Sequence, residues 1–259
     1  MLLLALAASP ALAEDGPRFC PTRPSLGESG CTTEPGHVHV EASAVDWERD
    51  DGPDQRRDTL LAGGWQVRIG VTDSAELQLA WTPFGHVRVR DKASDAIILA
   101  DRVGDVRVGL RQNLRHPDGK GLSIAVEPSV LLPVGRAPVG AGTWGAGLVV
   151  PVTFDVSDKV NLALTNEIDA EPNEDGAGRH LLINEVVGVG YDLSDKLTAV
   201  AELQLTRDVE PGEHQTALLA AGSLAWQPRP RLQLDVLVGA GINHDAPDVR
   251  VLTGGAVVF

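Results

Sequence analysis

Apolar and polar residues alternate with a period of two along most of this chain, and that constrains the fold more than any other feature. Residues 148–169, LVVPVTFDVSDKVNLALTNEID, show it most clearly. Leu148, Val150, Val152, Phe154 and Val156 share one face, continued after a short turn by Val160, Leu162, Leu164 and Ile168. The opposite face carries Thr153, Asp155, Asn161, Thr165, Glu167 and Asp169. An extended strand produces this pattern because successive side chains point to opposite sides of a sheet. Two architectures accept it. In a soluble sandwich the apolar face is the core; in a membrane barrel it meets lipid and the acids line the inside.

Alternating segments recur at residues 37–47, 59–71, 75–83, 103–114, 121–132 and 144–156. The second half adds 160–170, 180–193, 197–208, 216–226, 231–242 and 249–259. The connections alternate in length. Short ones fall at 72–74, 115–120, 157–159, 194–196 and 227–230, and long or polar ones at 48–58, 84–102, 133–143, 171–179, 209–215 and 243–248. A sandwich has no reason to sort its loops by parity, whereas an outer-membrane barrel has short periplasmic turns and longer outer loops. A Thr/Ser-Asp turn repeats in GVTDSAEL, DVSDKVNL and DLSDKLTA. The last strand, VRVLTGGAVVF, is apolar on one face and ends in Phe259. Trp47, Trp81 and Trp144 fall near one set of strand ends, and Phe154, Tyr191, Trp226 and Phe259 near the other, as two interfacial girdles would. Trp65 alone reads as mid-strand. The expected fold is all-β: a transmembrane antiparallel β-barrel of about 12 strands over residues 37–259, with both termini periplasmic.

The formal charge of −14, from 36 acidic and 22 basic residues, excludes nucleic acid as a partner. No apolar run approaches the roughly 20 residues a spanning helix needs. Residues 1–13, MLLLALAASPALA, read as a signal-peptide core with an Ala-x-Ala site cut after Ala13. The basic region that should precede it is missing, so the true start is expected upstream. Export makes a disulfide the simplest use of Cys20 and Cys31, in CPTRPSLGESGC, since a metal site would need further ligands nearby. Residues 14–36 are thus expected as a disulfide-closed periplasmic segment ahead of the barrel.

CPTRPSLGESGCTTEPGHVHVE, GVTDSAELQLAWTPFGHVRVRD and GDVRVGLRQNLRHPDGKG resemble the outer-membrane transporters associated with the meta-pathway of phenol degradation. The resemblance runs from about Cys20 to Phe259. It implies a barrel that takes up small, often aromatic, compounds, and it carries no catalytic or binding motif onto these residues.

Assigning faces gives the candidate lumen: Glu41, Arg68, Glu76, Arg107, Arg111, Glu127, Asp155, Glu167, Asp169, Glu202, Asp235 and Arg250. Pairing across the short turns sets Arg68 opposite Gln78 and diagonal to Glu76, and sets Gly109 opposite Glu127, diagonal to both Arg107 and Arg111. Two readings of this set stand. Opposite charges can fill and stiffen a closed structural or adhesive barrel, or line a selective polar channel. His37 and His39, with Glu41, fall short of a metal site, and residues 172–179 lack calcium-loop spacing. His86, His180, His214 and His244 fall near outer strand ends or loops. A lipid hydrolase would need a nucleophile and base on the outward face, where Glu185 is the one odd charge. No enzyme activity, cofactor or metal is expected. The expected partners are outer-membrane lipid and lipopolysaccharide, a small solute, and the barrel-assembly machinery through the strand ending in Phe259.

Overall fold

The computed structural model describes residues 16–259; the expected signal segment, residues 1–13, lies outside them. Regular structure among the described residues is entirely β. The first half comprises β1 (Val38–Asp51), β2 (Gln55–Ala62), β3 (Trp65–Thr72), β4 (Ala75–Trp81), β5 (Phe84–Asp91), β6 (Ile97–Arg102), β7 (Val106–Arg115) and β8 (Leu122–Leu132). The second comprises β9 (Gly145–Ser157), β10 (Val160–Pro172), β11 (Arg179–Ser194), β12 (Leu197–Asp208), β13 (Gln215–Arg229), β14 (Leu232–Gly241) and β15 (Val249–Val258). Twelve of them, β1, β3, β4 and β7 through β15, pair antiparallel in a closed ring, with β1 hydrogen-bonded to β3 on one side and to β15 on the other. The expected twelve-stranded antiparallel barrel is the fold observed.

The remaining three strands correct the expected boundaries. β2 and β3 lie on the same side of β1, separated at Gly63–Gly64, so the single strand expected over 59–71 is one lane broken in two. Gly63 has φ of +67°, a backbone state that side chains with a Cβ rarely adopt. The neighbouring lane breaks between β4 and β5 at Thr82–Pro83, where proline has no amide to give the ladder. The third breaks between β6 and β7. Segments 48–58 and 84–102, expected as loops, are therefore largely strand: an extension of β1, β2, β5 and β6 beyond the ring. The charged outward faces of the β1 extension, β2 and β5 disguised them, because the apolar half of the alternation is needed only where a strand crosses lipid. Trp65 is likewise not mid-strand. It begins β3 at the break and packs edge-on to Trp81, ring centroids 6.3 Å apart.

The barrel is inside-out relative to a soluble protein. Outward side chains such as Ile69, Leu77, Leu110, Val187, Leu203 and Val238 are exposed, whereas Arg68, Glu76 and Arg111 are fully buried. So much apolar surface is stable only against lipid, at about 25 cal/mol per Å² kept from water. The sandwich alternative is thereby discarded.

Residues 16–36, expected as a periplasmic stretch ahead of the barrel, are instead folded into its lumen. Arg18 grips the short-turn end, donating to the carbonyls of Asp73 (3.3 Å) and Pro117 (2.9 Å). From there the segment touches the inner faces of β1, β3, β4, β7, β10, β12 and β14. The cause is charge and backbone. An irregular segment has unpaired amides and carbonyls, and this inner wall supplies buried arginines and carboxylates to meet them. Gly70 permits the fit, because a Cβ there would overlap the Glu34 carbonyl. Cys20 and Cys31 are joined in a disulfide that closes the plug into a loop. Cys20→Ser/Cys31→Ser should leave the heat-modifiable gel mobility of the folded barrel intact while raising its conductance in planar bilayers. Wild-type conductance would show that the hydrogen bonds alone hold the plug.

Candidate functional site

The site is the plugged lumen, and its centre is a network of buried charge. Arg68, from β3, donates to Glu76 of β4 (2.7 Å) and to Glu41 of β1 (3.1 Å). It also donates to the plug carbonyls of Cys20 (2.6 Å) and Cys31 (3.0 Å). Arg111, from β7, holds Glu127 of β8 (2.6 Å), Glu28 of the plug (2.6 Å) and the Cys31 carbonyl (2.9 Å), and lies 3.4 Å from Glu76. The carboxylates complete the clasp by accepting from plug amides: Glu41 from Thr22 (3.0 Å) and Arg23 (3.0 Å), and Glu76 from Thr33 (2.6 Å). Charge-assisted bonds of this kind are about twice as strong as neutral ones, and here they are shielded from water.

On the far wall the anchors are fewer. Arg23 pairs with Asp235 (2.8 Å), Glu202 accepts from Ser25 and from the Leu26 amide, and Thr165 accepts from the Glu28 amide (2.7 Å). Leu26 packs on a small apolar patch of Ala221, Leu237 and Leu252. Gly27 passes so close to the wall that a Cβ would lie 2.6 Å from the Thr165 hydroxyl. On this side a cavity of about 560 Å³ remains between plug residues 21–29 and the wall, lined by Asp155, Asn161, Ala163, Val200, Glu202 and Gln233 among others. A second, of about 230 Å³, lies between Arg23, Glu41, Ser43 and Gln66 and the tryptophan pair at the lane breaks.

The other candidate residues are scattered. Arg107 bonds Ser129 (3.0 Å) and lies 3.8 Å from Asp169. Glu167 accepts from Asn184 (3.0 Å), and Arg250 forms a two-armed pair with Asp46 (2.8 and 3.0 Å). Asp155 is exposed at the short-turn rim, where it caps the Gly121 amide (2.7 Å). The β7–β8 register pairs Gly109 with Ser129 and Gln112 with Val126, which corrects the expected Gly109–Glu127 pairing. The ladder thus runs two residues away from the expected register, with a one-residue bulge between Asn113 and Arg115 near the turn, so Glu127 meets Arg111 and not Arg107. His39 is buried beside Phe19 and Glu41, while His37 bonds the Phe259 carbonyl (2.8 Å). Glu185 stands opposite Leu205.

Sequence reasoning missed the plug's own contributions from Arg18, Arg23, Ser25 and Glu28, and it missed Asp105. That carboxylate accepts from the amides of Gly135 (2.6 Å), Ala141 (2.6 Å) and Gly142 (3.0 Å), drawing the 133–143 loop inward until Val139 packs on Gly85. Glu127→Gln should weaken the network by about 1–3 kcal/mol, seen as a lower temperature for loss of the folded gel band. It should also shift ion preference toward anions, because the wall becomes more positive. An unchanged preference would mean that ions do not pass this wall.

A family model described as "Putative MetA-pathway of phenol degradation" matches residues 22–259. The chain belongs to that family. Its fold is similar to an outer-membrane channel from Pseudomonas putida F1, at 14% identity and a TM-score of 0.70, covering 88% of this chain and 97% of that one. It is also similar to the transport unit of the autotransporter AIDA-I from Escherichia coli, at 6% identity and a TM-score of 0.53 over 85% and 89% of the two chains. The translocator domain of NalP from Neisseria meningitidis matches at 12% identity and a TM-score of 0.50 over 86% and 87%. At such identities these likenesses carry the fold alone. No curated protein matches the sequence.

Proposed function

We propose that this protein is an outer-membrane channel for passive uptake of small, hydrophobic or aromatic molecules, with both termini and the short turns in the periplasm. The observation that carries it is the lumen itself. A barrel filled by its own plug leaves a cavity of about 560 Å³, within the size range of small-molecule sites and far below a general aqueous pore. Family membership supplies the substrate class. Its partners are then the solute, outer-membrane lipid and lipopolysaccharide, and the barrel-assembly machinery at the strand ending in Phe259. The ion pairs between plug and wall, Arg23 with Asp235 and Glu28 with Arg111, favour a second reading, a closed structural barrel.

Growth at limiting concentrations of a phenolic carbon source separates the two. Removing the protein should slow growth and restoring it should recover the rate. Equal growth with and without it, together with no current in planar bilayers, would leave the structural reading. The topology is read independently: cysteines at Asp54 and Asp175 should react with an impermeant thiol reagent on intact cells and one at Asp158 should not. Labelling at Asp158 with protection of the other two would reverse the orientation.

A further inference from the structure

The outward face of the β1–β2–β5 extension reverses the sign of the chain. Cross-strand pairing sets Arg49 beside Asp58 and Asp58 beside Arg88 in one row, with Asp51 beside Arg56 and Arg56 beside Arg90 in the next, where Asp51 is taken up by Lys92 and Arg90 by Asp95. Pleat parity turns these two rows away from the lumen, since their neighbours Gly85 and Val87 are the buried, inward ones. Asp58 is the shared partner of three guanidinium groups: Arg49 at 2.7 Å, Arg56 at 3.3 Å and Arg88 at 3.7 Å. One carboxylate cannot saturate them. Each arginine keeps about a third of its side chain exposed, 33%, 31% and 33%, against 16% for Asp58, so unused donors face outward.

The height of the patch is fixed by its neighbours. The row below is Trp47, Leu60 and His86, and Arg49 stacks on the Trp47 ring at 4.9 Å. A tryptophan at the edge of the apolar belt marks the boundary between hydrocarbon and headgroups, so the arginines begin one pleat above it. A fork of guanidinium donors in a fixed plane suits phosphate oxygens, and Asp58 holds the fork in place before any ligand arrives.

We propose that this surface, Arg49, Arg56 and Arg88 around Asp58, binds the phosphate groups of the phosphorylated glycolipid in the outer leaflet. The inference rests on the topology proposed above. It gives the extension a role that the channel does not require: anchoring the broken lanes of the barrel to the lipid beside them.

The test uses the full-length protein in a neutral detergent, with native mass spectrometry reading adducts of bisphosphorylated lipid A and of its dephosphorylated form. Wild type should bind the phosphorylated lipid and discriminate against the dephosphorylated one. Each cation near an anionic lipid surface is worth about fivefold in affinity, so Arg49→Gln/Arg56→Gln/Arg88→Gln should lose at least about tenfold. Arg115→Gln, at the opposite rim, should lose nothing. Should the triple variant not show the folded gel band, Arg88→Gln alone should bind at least about twofold more weakly. Equal binding by wild type and variant, or equal binding of the two lipids, would overturn the assignment. Displacement of the lipid by millimolar inorganic phosphate would reduce the patch to a simple anion site and also overturn it. Because this assay is independent of orientation, protection of a cysteine at Asp54 on intact cells would overturn it separately, through topology and not chemistry.

Discussion

Arg68→Met should raise the conductance of the plugged barrel well above that of the wild type. The guanidinium is fully buried and makes five hydrogen bonds to Glu76, Glu41 and the Cys20 and Cys31 carbonyls. Methionine fills a similar volume and meets none of them. Removing one partner of a buried ion pair costs about 3–5 kcal/mol, because the stranded carboxylates have lost their water and gained nothing. The barrel has a way to relieve this that a packed core lacks. If the plug leaves, water enters and solvates Glu41 and Glu76. What resists is the rest of the clasp: Arg111 with Glu28 and Cys31, Arg23 with Asp235, and the amides on Glu202, each worth about 1–3 kcal/mol. The two sums are comparable, so an exchange between closed and open states is expected, seen as flickering current in single-channel records. Arg68→Lys should restore part of the closure, since an ammonium compensates the charge but cannot fork to four partners. Records from Arg68→Met that match the wild type, with no added flicker, would show that the plug is held elsewhere.

The barrel was legible in the sequence because its determinants are local. Period-two alternation, a repeated Ser-Asp turn and loop-length parity each act within about twenty residues. Even Arg68 beside Glu76 follows from one turn and one register. The lane breaks were half-legible: Gly63–Gly64 and Pro83 were visible, but an alternating charged strand above the membrane looks like a polar loop. The plug was illegible for a different reason. Its bonds join residues up to 212 positions apart, as in Arg23 with Asp235. Nothing periodic announces them, and the segment's Pro, Gly and Ser content reads equally as a linker. One sign was available. CPTRPSLGESGC carries both charges between its cysteines, in a chain whose expected lumen offers both as well. Register near the β7–β8 turn failed, as with Glu127, because an irregular turn and a bulge beside it cannot be counted from side-chain pattern alone.

Deleting residues 18–33 should leave a folded barrel with a large, cation-preferring conductance. Folding should survive because the wall charges compensate one another: Arg68 keeps Glu41 and Glu76, and Arg111 keeps Glu127. Water replaces the lost plug carbonyls at little cost in enthalpy. The apolar contacts surrendered to that water are small: Leu26 against Ala221, Leu237 and Leu252, and the Phe19 ring against His39. Conductance should rise because the deleted chain occupies the ring where β1, β3, β4, β7, β10, β12 and β14 face one another. If no current appears in a folded variant, the 133–143 loop held by Asp105 closes the lumen instead, and Asp105→Ala in the same background should open it. The sign of selectivity follows from the candidate lumen set, in which eight carboxylates face four arginines. With the plug in place Arg23 offsets Asp235, while Glu28 sits on Arg111. Without it the wall is net negative, so cations accumulate in the lumen and anions are repelled. Anion preference in the deleted barrel would mean that the acids on β10 and β12 lie outside the conducting path.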